Sequence, residues 1–146
     1  MKRMMILLVM ALVMFTANAF AATTTLDVTA YVAGTCTFDT AATALTFGEL
    51  DTVLAPAVDT TGSVEVACSN GTPFTVANNS TGALTGALGG TISYAFSFLG
   101  GTDTGVGLGA GNTINVSYQA DIAGGNNYDT AVADLYSETV TLTINP

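Results

Sequence analysis

The chain has 146 residues, of which 11 are Asp or Glu, 2 are Lys or Arg and none is His. Its only basic side chains, Lys2 and Arg3, stand at the front, so the rest of the sequence carries negative charge alone. That balance excludes electrostatic binding of nucleic-acid phosphates, Ser-His-Asp and Cys-His catalysis, Lys-based Schiff chemistry and His-ligated metal centres. An enzyme is the poorest fit, and no cofactor is expected.

Met1-Lys2-Arg3 is a short basic segment, Met4 to Phe15 is almost wholly apolar, and Ala17-Asn18-Ala19 and Ala19-Phe20-Ala21 are small-x-small cleavage sites. Residues 1–21 therefore read as a signal peptide cut after Ala21. The alternative, a membrane anchor, is disfavoured because the apolar run is short of the roughly 20 residues a span needs. No later stretch is apolar enough to span. The chain left after cleavage has no Lys, Arg or His but all the carboxylates, a net charge that keeps free subunits soluble and apart.

Leu26-Asp27-Val28-Thr29-Ala30-Tyr31-Val32 alternates with period two: Leu26, Val28, Ala30 and Val32 on one side, Asp27, Thr29 and Tyr31 on the other. This is a strand with one buried face. No tight hairpin signal follows; Ala33-Gly34-Thr35 leads to Cys36. The segment reads as a leading arm, and its apolar face can complete either its own sandwich or a neighbour's.

The body begins at Cys36-Thr37-Phe38. Leu45-Thr46-Phe47 reads as a short strand ended by Gly48, and Glu49 to Asp59, with Pro56, as a loop. Ser63 to Cys68 alternates, with Val64, Val66 and Cys68 inward. Asn70-Gly71 signals a hairpin, and Phe74 to Asn78 returns from it. Asn79 to Gly90 is small and Gly-rich, a loop or weak edge segment. Ile92, Tyr94, Phe96 and Phe98 share the inner face of one strong strand. Gly100 to Gly111 reads as loop, Ile114 to Tyr118 alternates, and Asp121 to Asp134 contains the turn cluster Gly124-Gly125-Asn126-Asn127. In the closing strand, Ser137 to Ile144, Val140, Leu142 and Ile144 form the inner face. Six or seven body strands without helix signals suit an all-β, immunoglobulin-like β-sandwich in one domain.

Cys36 and Cys68 lie in an exported chain, where a disulfide is the default and a free reactive thiol pair the alternative. Asp121, Asp129 and Asp134 suggest calcium by residue type but lack EF-hand spacing, which favours a solvated loop over a calcium site. Tyr118 and Tyr136 read as core or corner residues, and Phe96 and Phe98 as core.

Cys68-Ser69-Asn70-Gly71-Thr72-Pro73-Phe74-Thr75-Val76 is very similar to the central motif of spore coat protein U domains. Cys36-Thr37-Phe38 followed by Leu45-Thr46-Phe47-Gly48 resembles that family's opening, and Leu135 to Thr143 its closing strand. Many members carry basic and aromatic residues in the later loops; Gly105 to Gly111 here has neither. The family includes pilins of the archaic chaperone–usher pathway. The resemblance implies an incomplete sandwich that lacks its last strand. It also implies a Cys36–Cys68 bridge, and assembly with identical or related subunits by way of a periplasmic chaperone and an outer-membrane usher into a surface fibre for adhesion or biofilm. On that model residues 22–35 are donor strand and hinge, and residues 36–146 are the pilin sandwich. Leu26, Val28, Ala30 and Val32 are the donor side chains, and Val140, Leu142 and Ile144, with residues near Cys36, line the acceptor groove. The alternatives are a secreted coat or matrix protein that folds alone and a single-domain adhesin.

Overall fold

The computed structural model describes residues 22–125 and 128–146. The segment 1–21, expected to be a signal peptide, and Asn126 and Asn127 of the expected turn cluster lie outside the described residues. The chain divides into two units, one ending at Tyr31 and the other running from Val32 to Pro146. In the first, described residues 22–31 carry no strand or helix and all are exposed.

The second unit holds ten strands: β1 (Cys36–Phe38), β2 (Val58–Cys68), β3 (Pro73–Asn78), β4 (Ala83–Gly86), β5 (Thr91–Ser93), β6 (Ala95–Phe98), β7 (Thr102–Thr104), β8 (Ile114–Ile122), β9 (Tyr136–Ser137) and β10 (Leu142–Asn145). They form an immunoglobulin-like β-sandwich. One sheet has the order β1-β2-β8-β6; opposite it lie β10-β3-β7 and β5-β4-β9. Every pairing among them is antiparallel. None of the described residues forms a helix long and apolar enough to cross a membrane.

Alternation along β2, β3 and β8 builds the main core. Val64, Val66 and Cys68 meet Phe74 and Val76 from the facing sheet, with Val116 and Tyr118 beside them. Phe96 stacks on Tyr118 with ring centroids 5.7 Å apart, and Phe98 meets Phe96 edge-on. The Tyr118 hydroxyl donates to the carbonyls of Thr43 (2.7 Å) and Ser63, so the ring is buried without an orphaned polar end. A second cluster, Ala55, Ile92, Ile122 and Tyr128, fills the other end, joined by half-buried Phe47, Leu50, Leu84, Tyr94, Ala131 and Tyr136.

Four sequence expectations change. Leu45 and Phe47 are half-buried and pack on the two clusters, but the segment joins no ladder. The loop expected through Asp59 ends earlier, because Val58 and Asp59 already pair with Ile122 and Asp121. The single strand expected over Ile92–Phe98 keeps its alternation yet splits at Tyr94: β5 pairs with β4, β6 with β8. Part of the Gly-rich stretch after Gly100 becomes β7, paired with β3.

The closing strand is also divided. β9 pairs with β4, with Gly86 opposite Tyr136 and Thr85 opposite Ser137; β10 pairs with β3, with Asn78 opposite Leu142. Between these ladders six residues, 79–84, face four, 138–141. The count differs by two, so a continuous ladder cannot form there. Side chains bridge the gap instead: Thr141 donates its amide to Asn79 Oδ1 at 2.6 Å, and Glu138 takes over the bonds of Ser80 and Thr81.

Candidate functional site

Two strand edges belonging to different sheets lie next to one another. β1 ends the four-stranded sheet, β10 ends the sheet it forms with β3 and β7, and the two strands are in contact. No described strand pairs with the outer edge of either. Cys36 and Phe38 from β1, and Leu142 and Ile144 from β10, are half-buried and pack on the main core cluster. Their intermediate exposure marks a core with incomplete cover on this side. Alternate residues along β10 direct their N–H and C=O groups away from β3, which leaves hydrogen-bonding capacity along the same seam. The seam is apolar at its floor and polar at its rims, the chemistry that an added extended strand satisfies.

Local sequence sets both walls. Thr139, Thr141 and Thr143 are exposed while Val140, Leu142 and Ile144 turn inward. Leu142 and Ile144 sit in β10; Val140 lies upstream of it, half-buried, between the Glu138 bonds and the Thr141–Asn79 bond. Cys36 stands opposite Cys68 in the β1–β2 register, and the two are joined by a disulfide. The bridge ties the three-residue β1 to the long β2. Ser69 donates its amide to the Thr35 carbonyl at 2.9 Å, which extends the pairing one residue before β1. A Cβ on Gly34 would lie 2.8 Å from Thr72 Oγ1, so the chain is closely packed there too. Freedom in the expected Ala33-Gly34-Thr35 hinge is thus confined to its front.

The arm residues show the opposite condition. Leu26, Val28 and Val32 are 85%, 86% and 83% exposed, and Ala30 is exposed with them. Among the described residues these three large apolar side chains, on one face of a period-two segment, are thus left exposed.

The aspartates of the weak calcium reading are not brought together. Asp121 accepts both bonds from Gln119 Nε2, and Asp134 accepts the amides of Leu88 and Leu135. Among the described residues no group of three metal-ligating side chains converges.

Sequence reasoning missed a polar cluster where β9 gives way to β10. Glu138 Oε1 accepts the Thr81 amide at 2.6 Å and the Thr81 hydroxyl at 2.8 Å; Oε2 accepts from Tyr94, whose hydroxyl also meets Ser80 Oγ at 2.8 Å. Partial burial raises the Glu138 carboxyl, and the bonds from Tyr94, Thr81 and Ser80 more than reverse this, leaving it below the usual glutamate range. Burial, with Glu138 beside it, pushes the Tyr94 phenol up. Tyr94 was visible as an inward ring; its partner, 44 residues away, carried no local signal.

Residues 22–95 match the family model of the Spore Coat Protein U domain. The match takes in the opening and central motifs and leaves Leu135 to Thr143 outside it. Neither a curated protein nor a solved structure matches the chain.

Proposed function

Because the chain belongs to the Spore Coat Protein U domain family, we propose that it is a structural pilin subunit that polymerises by donor-strand exchange into a surface fibre. The observation that carries this reading is the seam between β1 and β10: two unpaired edges over half-buried Cys36, Phe38, Leu142 and Ile144. The complementary part is the arm with Leu26, Val28, Ala30 and Val32 uncovered. Residues 22–35 act as donor strand and hinge, residues 36–146 as acceptor body. One subunit's arm enters the seam of the next, exchanging ladder bonds with β10 and setting its apolar face on the core. Each large apolar side chain so buried contributes roughly 1.5–3 kcal/mol. Before that, a periplasmic chaperone covers the seam, and an outer-membrane usher exchanges chaperone for arm. The subunit is exported through the periplasm behind its signal peptide and performs no catalysis.

Moving the arm tests this. Residues Thr23 to Val32 are deleted from the front and attached behind Pro146 through a short Gly/Ser linker. β10 ends beside the seam, so the relocated arm reaches its own groove, and closing a short loop costs less than recruiting a second molecule. Ten extended residues span roughly 33 Å, enough for the length of a sandwich. The parent polymerises, and the variant is a monomer that melts above the arm-less body. A parent that is monomeric and as stable as the variant overturns the reading.

A further inference from the structure

Outside residues 22–32, the exposed large apolar side chains of the body are not spread evenly. Val53, Leu54, Leu88, Val132 and Leu135 lie on loops around the second core cluster, where β2 begins. Val106 and Leu108 lie at the opposite end, where β2 finishes at Cys68: Gly107 donates its amide to the Cys68 carbonyl, and Gly71 to the Gly105 carbonyl. Leu99 alone sits on the flank, its amide bonded to Ser117, which pairs with Ser63 midway along β2. The two ends of β2 are roughly 33 Å apart.

The apolar tips at the first end are held in place. Asp51 Oδ1 accepts the amides of Val53 (2.8 Å) and Leu54 (3.0 Å), and Ala55 closes the turn on the Asp51 carbonyl before entering the core. Tyr128, buried beside it, donates its hydroxyl to the Pro56 carbonyl. Asp134 accepts the amides of Leu88 (2.6 Å) and Leu135 (2.8 Å), so one carboxylate fixes two loops that each expose a leucine. Rigid turns that hold apolar side chains in water have lost the entropy that a mobile loop would lose on docking.

We infer that these two ends form a second contact between copies of this chain, end on, beside the exchanged strand. The inference rests on the strand-exchange reading. β10 runs toward the Cys68 end, since Asn145 pairs with Thr75 and Leu142 with Asn78. An arm paired antiparallel to β10, like every pair in the body, runs from the Cys68 end to the far end. The Cys36 root that follows the arm then stands past the loops carrying Val53, Leu54, Leu88 and Leu135. The neighbour's Cys68 end, with Val106 and Leu108, faces those loops. Different patches meet at every step, which gives an open, head-to-tail contact that propagates. Beyond Arg3 the chain has no Lys, Arg or His, so the body has no side-chain ion pairs to offer another copy of itself, and apolar contact is the attraction left to it.

The test uses full-length chains carrying Leu54→Cys, Leu108→Cys or Leu99→Cys, mixed in pairs, polymerised and oxidised mildly. Non-reducing gels and mass spectrometry of the linked peptides read the pairing. With one free thiol per chain, the expected result is a covalent dimer joining position 54 of one chain to position 108 of another, and its loss when 99 replaces 108. A polymer that links 54 to 99 as readily as to 108, or links neither, overturns the end-on contact while strand exchange stands. An unmodified chain that stays monomeric removes strand exchange and the end-on contact with it.

Discussion

Tyr94 donates its hydroxyl to Glu138, and through that bond the break between β5 and β6 is tied to the break between β9 and β10. Tyr94 stands between β5 and β6; Glu138 stands between β9 and β10. The carboxylate also holds Ser80 and Thr81, so three connections meet on one side chain.

This arrangement has a pH signature. The Glu138 carboxyl titrates lower in the folded protein than in the unfolded chain, so its contribution is present above the unfolded value, about 4.3, and is lost as pH falls through the folded one. The Tyr94 phenol titrates higher when folded, so its contribution is present below about 10 and is lost at more alkaline pH. Glu138→Gln should lower stability at neutral pH by about 1 kcal/mol, a figure already reduced for solvent exposure. Thermal melts across pH should show the gap between parent and variant closing in acid. A gap constant from pH 7 to pH 3 would show that the carboxylate is not the group involved.

The donor register is checked by a pair of charges. Val28→Asp places an unpaired carboxylate on the face that, on the proposed strand exchange, enters the groove, at a cost of several kcal/mol, and should abolish polymerisation. Thr29→Asp puts the same charge on the opposite face and should polymerise nearly as the parent does. Sedimentation of assembled material measures both, and equal assembly would rule out this register.

Gly105 is a close-approach position. A Cβ there would lie 2.3 Å from the Ser69 carbonyl oxygen, 2.6 Å from Cys68 Cβ and 2.7 Å from the Cys68 carbonyl oxygen. These are mostly backbone atoms and cannot swing aside, so Gly105→Ala should destabilise by about 1–3 kcal/mol. Gly109→Ala serves as the control, because its Cβ would meet only the movable Asn112 side chain, at 3.2 Å. Urea unfolding of the two variants should separate them; similar midpoints would contradict the close packing at Gly105.

Reducing the disulfide should weaken β1 before the rest. The bridge spans a sequence separation of 32 residues. A loop of that length is worth roughly 3–4 kcal/mol on the chain-entropy model. With the bridge gone, hydrogen exchange should quicken first at Thr37 and Phe38, whose ladder is three residues long, and later at Val64 and Val66. Uniform loss of protection would mean that β1 is not held by the bridge.

Residue order by itself determined the inner faces. Val64, Val66 and Cys68, then Phe74 and Val76, then Leu142 and Ile144 alternate with polar neighbours, and alternation is a local property that decides burial wherever the segment pairs. The absence of His, Lys and Arg beyond Arg3 likewise bounded the chemistry without any structure. What pairs with what was decided only in three dimensions. The Ile92–Phe98 run looked like one strand because its alternation is unbroken, yet its two halves join different sheets. The closing strand looked continuous because nothing near Glu138 reveals that four residues there face six. Tyr128 lay in what read as a turn, and its burial depends on the distant Pro56 carbonyl. The seam itself is of the same kind: the β10 wall was readable as an alternating strand, but its meeting with β1 depends on long-range register, which periodicity within one segment does not encode.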